Sequence, residues 1–216
     1  MMSVQFDPWL LLLMPIAMAL LPMAVVMTTA FTKISIVLAL LRNALGLQQV
    51  PSNLVLAGIS MAATLLVMSP VAMQIGAQLD VEGIANGTIR TTAPEVAQAF
   101  LGPLETFMRK HVDPGELESL ADLATEVNPG VERPMESLSV LIPAFVFSEV
   151  GTAFRIGMYL AIGFAVIDLI VANLMMAMGM TMFPPTTIST PLKLLVFVVT
   201  AGFSRLLHGL IGSYAG

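Results

Sequence analysis

The run IGMYLAIGFAVIDLIVANLMMAM, Ile156–Met178, is interrupted only by Asp168 and Asn173. It exceeds the roughly 20 apolar residues that carry a helix across a bilayer core, so it reads as a membrane span. The rest of the chain agrees with it. Of 216 residues, 57% are hydrophobic and 11% charged, with a mean hydropathy of +0.91. Soluble domains carry about 25% charged residues, and a larger soluble core does not account for such a deficit. The chain belongs to the membrane class.

Outward from that run, three more long apolar segments stand out. Trp9 to Thr32 carries Pro15 and Pro22, which are expected to kink or break it. Asp7 is the only charge before it, so Trp9 onward is expected to be retained rather than cleaved as a leader. A short apolar piece, Ile34–Leu41, follows Lys33 and closes at Arg42-Asn43. Leu54 to Leu79 contains Pro70, and a last helix is expected from Leu192 to about Ile211, after a loop over 180–191. The expected fold is all-α: about four long, kinked hydrophobic helices or helical hairpins, with a mainly helical acidic insertion between the second and third. Three regions result: 1–79, 80–136 and 137–216.

The insertion holds eleven of the fourteen acids (among them Asp80, Glu82, Asp113 and Glu116) against four of the nine bases, and reads as an aqueous, solvated segment. Thr92-Ala93-Pro94-Glu95 has the form of a capping box. The helix behind it is expected to bury Val96, Phe100, Leu104 and Phe107/Met108, and to kink at Gly102-Pro103. A second helix is expected between Asp113-Pro114-Gly115-Glu116 and Asn128-Pro129-Gly130. Lys33 and Arg42, set between the first two segments, would place that connection in the cytoplasm and the acidic insertion outside.

No Walker loop, dinucleotide fingerprint, zinc signature or nucleophile elbow is present, and there is no cysteine. His111 and His208 have no ligand partners nearby in sequence. The sequence points to no enzyme, no cofactor and no metal, and the acidic balance argues against nucleic acid.

Three features are candidates for function. Ala153, Gly157, Ala161 and Ala165 form a ladder of small residues four apart, suited to close helix packing in lipid. Lys33, Glu149, Arg155, Asp168, Asn173 and Lys193 are polar or charged in apolar surroundings, where such groups pair or face a cavity. Glu149 and Lys193 lie in different segments, so a bridge between them would tie helices or neighbouring subunits together. Third, Met175, Met176, Met178, Met180 and Met182 crowd one short stretch, and Gly179 is a natural helix terminator. A Met- and Phe-tipped loop is poor in water, and methionine conforms to irregular partners, so several copies converging on an axis would make a deformable seal.

Several motifs together resemble one family. Phe31-Thr32-Lys33-Ile34, Leu41-Arg42-Asn43-Ala44-Leu45-Gly46, Met68-Ser69-Pro70-Val71, Leu141-Ile142-Pro143-Ala144-Phe145 and Phe147-Ser148-Glu149 are colinear with it. So are Thr152-Ala153-Phe154-Arg155-Ile156-Gly157, Val166-Ile167-Asp168-Leu169, Met178-Gly179-Met180 and Ile188-Ser189-Thr190-Pro191-Leu192-Lys193-Leu194. The chain resembles the FliP/SctR family of type III secretion export-apparatus subunits. The resemblance implies about five copies joined with FliQ/SctS-type and FliR/SctT-type subunits in a closed helical gate. Secretion substrates in transit, the basal-body ring and lipid complete the implied partners. It implies the bacterial inner membrane, with hairpins raised toward the periplasm. It places the family's methionine gasket on Met180, Thr181 and Met182, departing from a methionine triplet at Thr181, and its intersubunit acid–base pair on Glu149 and Lys193. Chain length, the missing leader and Thr187-Ile188-Ser189-Thr190-Pro191 point to the injectisome branch. The rival readings are a secondary transporter or ion channel built on Asp168, Asn173 and Glu149, and a scaffold that never touches substrate.

Overall fold

The computed structural model describes residues 8–79, 93–130, 134–180 and 182–215. Among them the chain is all-α. The helices are α1 (Pro8–Thr28), α2 (Phe31–Ala44), α3 (Asn53–Val67), α4 (Ser69–Gln78), α5 (Ala93–His111), α6 (Pro114–Val127), α7 (Leu138–Ala177), α8 (Thr186–Val199) and α9 (Gly202–Gly212). A 3-10 turn, Pro134–Glu136, leads into α7. Among the described residues, helix α7 alone is long and apolar enough to span a membrane, and three bent pairs qualify if each counts as one span. Four candidate spans is the number expected from hydropathy.

The bends follow local chemistry. The last part of α1 meets α2 at 81°. There Thr28, Thr29 and Thr32 donate their hydroxyls to the carbonyls of Ala24, Val25 and Val26. Helices α3 and α4 meet at 57°. Pro70 has no N–H for the carbonyl four residues back, Leu66, and the Ser69 hydroxyl takes it instead at 2.9 Å. Helices α8 and α9 meet at 61°, with Thr200 Oγ1 on the carbonyls of Val196 and Phe197. A hydroxyl at each break therefore satisfies backbone that lipid could not.

Pro15 and Pro22 do not break α1, and α5 runs continuously through Pro103. Some expectations are corrected. The last apolar helix is two: α8 begins before Pro191 and ends at Val199, because Ala201 turns left-handed (φ 50°). A Cβ on Gly202 would also strike the Phe197 ring at 2.4 Å. The expected loop over 180–191 is accordingly shorter, with helix resuming at Thr186. Thr92 of the capping box lies outside the described residues. On α5 the buried residues are Ala99, Pro103, Phe107 and Met108, while Phe100 faces out.

Helices α2 and α7 form the centre, and Ile34, Leu38, Leu41, Leu141, Ala144 and Phe145 are buried in one apolar core. Helix α3 flanks α2, and the insertion helices α5 and α6 pack on α7. Asp113 caps α6 through the N–H groups of Gly115 and Glu116, and its own N–H donates to Ser148 of α7 at 2.9 Å. Arg109 joins Glu105 to the carbonyls of Met135 and Glu136, closing the insertion near its exit.

The small-residue ladder divides. Ala153 and Gly157 lie buried against α2, and a Cβ on Gly157 would sit 2.3 Å from Leu40 Cδ1. Ala161 and Ala165 are exposed. Steps of four drift by about 40° around a helix of 3.6 residues per turn, so the ladder leaves the buried face, which continues through Phe164, Val171 and Met175. Gly157→Val is expected to lose about 1–3 kcal/mol by overpacking. Adding Leu40→Ala should recover part of that loss, measured by thermal unfolding in detergent; identical melting of the single and double variants would refute this seam.

Candidate functional site

Where the first turn of α2 meets α7, two charges are almost completely buried. Lys33 is 4% exposed and Glu149 2%, with Nζ 3.2 Å from Oε1. The Tyr214 hydroxyl, past the end of α9, donates to the other carboxylate oxygen, Oε2. The Tyr214 ring also lies under Lys33 Nζ, 3.7 Å from its centroid. Both oxygens and the ammonium are thus partnered in three ways, by ion pair, hydrogen bond and cation–π contact. Burial, and then the Glu149 charge, push the Tyr214 phenol far above its ordinary pKa, so it keeps the proton it donates. Around this lock, Phe107 stacks on Tyr214, and His111 sets its ring nitrogens against the carbonyls of Phe107 (2.8 Å) and Tyr214 (3.3 Å). Helices α2, α5 and α7 and the segment after α9 all meet here.

A second charge cluster lies farther along α7. Lys193 of α8, 5% exposed, reaches Asp168 Oδ2 at 2.5 Å and the carbonyl of Ala44 at 3.2 Å. Asp168 Oδ1 and the Ser189 hydroxyl are buried facing each other beside this contact. Gly46, at φ +80°, lets the loop after α2 approach α8, where a Cβ would meet Thr190 Oγ1 at 2.9 Å. A polar cavity of about 430 Å³, lined by Asn43, Gln48, Thr187, Thr190 and Lys193, opens beside this contact. At a rise of about 1.5 Å per residue, Asp168 is about 28 Å from Glu149 along α7.

The third element is the tip after α7. The Met180 N–H bonds the carbonyl of Met175, and the Gly179 N–H that of Met176, with Gly179 at φ +76°. This paired closure is a Schellman cap, which fixes the direction of the exit. Met175 is core, whereas Met176, Met178, Met182 and Phe183 are exposed. Met180 is half-buried and Thr181 lies outside the described residues.

The FliP family pattern matches residues 13–210. The chain belongs to the FliP family. It is 41% identical over 218 residues to the hypersensitivity response secretion protein HrcR of Ralstonia nicotianae, covering 99% of this chain and 100% of that one. Against the Yop proteins translocation protein R of Yersinia pestis it is 40% identical over 205 residues, 92% of this chain and 93% of that one. Against the virulence protein YscR of Salmonella typhimurium it is 35% identical, over 99% and 100% of the two chains. This FliP-family chain is thereby a type III secretion export-apparatus protein, a transport component that works with other subunits of that apparatus, and it falls with the injectisome relatives.

Within this FliP-family chain the charged residues singled out in the sequence are distributed unevenly. Lys33 sits inside α2 and is paired, so it is no loop charge and carries no topology information. Glu149 and Lys193 each hold a partner in the same chain, Lys33 and Asp168. Asp168 is partly exposed, and Arg155 and Asn173 are exposed on α7, so any burial of those two has to come from a neighbour. Tyr214 is the functional residue that sequence reasoning missed; a lone tyrosine after the last apolar helix carries no periodic or motif signal.

Removing one member of the buried pair strands the other charge, at about 3–5 kcal/mol. Lys33→Met or Glu149→Leu is expected to lower the melting temperature sharply, and Lys33→Met/Glu149→Leu to be less damaged than either. Additive losses in the double variant would dissolve the coupling. Tyr214→Phe keeps the ring and loses the hydroxyl, for about 1.5–3 kcal/mol in the same measurement.

Proposed function

We propose that this chain lines the closed conduit of a type III export gate in the bacterial inner membrane, assembled from several copies of itself with SctS- and SctT-type subunits. It passes unfolded protein when the gate opens. The observation that carries this reading is the tip after α7, where Met182 is 94% exposed beside the exposed Phe183 and Met178. An apolar tip held rigidly by a Schellman cap is costly in water. Equivalent tips around one axis cover each other, and their thioethers adapt to whatever gap the packing leaves. Met180, Thr181 and Met182 form the gasket in this reading.

The same proposal sets Glu149 of one copy against Lys193 of the next. Since each has a partner within its own chain, assembly exchanges one set of contacts for another. The polar cavity beside Lys193 supports this, because it gives a neighbouring carboxylate a route to the ammonium. A secondary transporter would need its titratable groups at one site. The separation of about 28 Å between Glu149 and Asp168, each neutralised by a lysine, weighs against that reading.

Met180→Ala with Met182→Ala is expected to raise ion leakage of the assembled complex in liposomes; permeability equal to the parent complex would remove the gasket. Lys193→Glu should weaken assembly, scored by recovery of intact complex. Full recovery at normal expression leaves only the pairs within the chain.

A further inference from the structure

Glu149 is closed to a neighbouring chain. It is 2% exposed, and both its oxygens are taken, Oε1 by Lys33 and Oε2 by the Tyr214 hydroxyl. An ammonium from another copy has no path to the carboxylate while both contacts stand, so one of them must give way before it can bind. Lys33 belongs to α2, whose Ile34, Leu38 and Leu41 lie in the main core, and it withdraws only if that core opens. Tyr214 is held more lightly. It lies past the end of α9, fixed by its hydroxyl, by the ring contacts with Lys33 and Phe107, and by its carbonyl against His111 Nε2 at 3.3 Å.

The same ring borders empty space. A cavity of about 180 Å³, lined by Gln74, Thr106 and His111 among others, has Tyr214 as one wall. A second, of about 210 Å³, is lined by Leu66, Ile211, Tyr214 and Ala215. Both also touch Val67 and Pro70, at the bend between α3 and α4. Close-packed interiors leave few voids of this size, so Tyr214 has room to swing that no side chain of the α2–α7 core has. Its departure breaks a hydrogen bond and ring contacts and leaves the apolar core intact. We propose that the segment after α9 is a latch, which keeps Glu149 shut in the lone chain and lifts when the chain joins its neighbours. The inference rests on the exchange proposed above, in which Lys193 of the next copy reaches Glu149. Lys33 then stays on Oε1, and the incoming ammonium takes Oε2 from the phenol. A charge-assisted hydrogen bond thereby replaces one from a neutral donor.

The test uses the full chain, which has no cysteine of its own. Leu66 and Ala215 are exposed and line one of the two cavities, so Leu66→Cys/Ala215→Cys sets a thiol on α3 and another on the latch. A short bismaleimide joining the two thiols ties the latch down and leaves Lys33, Glu149 and Tyr214 unchanged. Capping each thiol with N-ethylmaleimide adds similar bulk and leaves the latch free. Each form is purified in detergent and mixed with SctS- and SctT-type subunits, and intact complex is counted by native mass spectrometry. The tied chain should give several-fold less complex than the capped one; equal yields would overturn the latch. So would a side-chain-resolution image of the assembled complex in which the Tyr214 hydroxyl still sits on Glu149. Lys193→Glu in the same assay separates the latch from the exchange on which it rests. Loss of complex in Lys193→Glu beside equal yields of the tied and capped chains sinks the latch alone, whereas full recovery of Lys193→Glu removes the exchange.

Discussion

An ammonium and a carboxylate held out of water between two apolar helices set the terms for this fold. Lys33 and Glu149 are tolerable there only because every charged atom has a partner, and the partners come from three distant parts of the chain. Lys33 fixes the register of α2 against α7, and Gly157 lets Leu40 settle close beside it. Tyr214 draws the segment after α9 onto the same point, and the ring stack through Phe107 brings the insertion with it. Hydrophobic burial alone supplies no such register between helices in lipid, where a shifted contact buries as much apolar surface.

Directional contacts of this kind explain how a chain with so few charges holds three sharp bends. Each bend exposes carbonyls, and each has a serine or threonine hydroxyl placed to accept the task. The bends shorten the apolar segments into paired arms, while α7 runs unbroken over 40 residues to the methionine tip at its end. The second cluster, Lys193 with Asp168 and the Ala44 carbonyl, anchors α8 near that end. The rigid frame thus carries an exposed apolar tip at the exit from its longest helix.

Much of this was legible in the sequence. The all-α class, the apolar segments, the acidic insertion with its second helix and the stop at Gly179 follow from composition, capping residues and glycine. Other features were not. The Lys33–Glu149 pair spans 116 residues and no local pattern announces it. The ladder was read with a spacing of four, whereas the buried face of α7 follows 3.6, so only Ala153 and Gly157 belong to the contact. Pro15, Pro22 and Pro103 are carried inside continuous helices, and the sharp breaks fall where a hydroxyl, a left-handed residue or a crowded glycine accompanies the turn. Arg42 marks a segment boundary in the sequence, and only the geometry shows its Nη1 tying the end of α2 to the Pro51 carbonyl and Asn53.

The position of Tyr214 has a consequence for biogenesis. Synthesis delivers α2, with its lysine, long before Glu149 emerges, and the phenol that completes the site follows 65 residues after that. A nascent intermediate therefore carries an unpaired cation in an apolar helix, at a cost of about 2.5–3.5 kcal/mol on insertion scales. The site on α2 is therefore fully enclosed only after α9 and the segment behind it have been made, so this central contact is completed late.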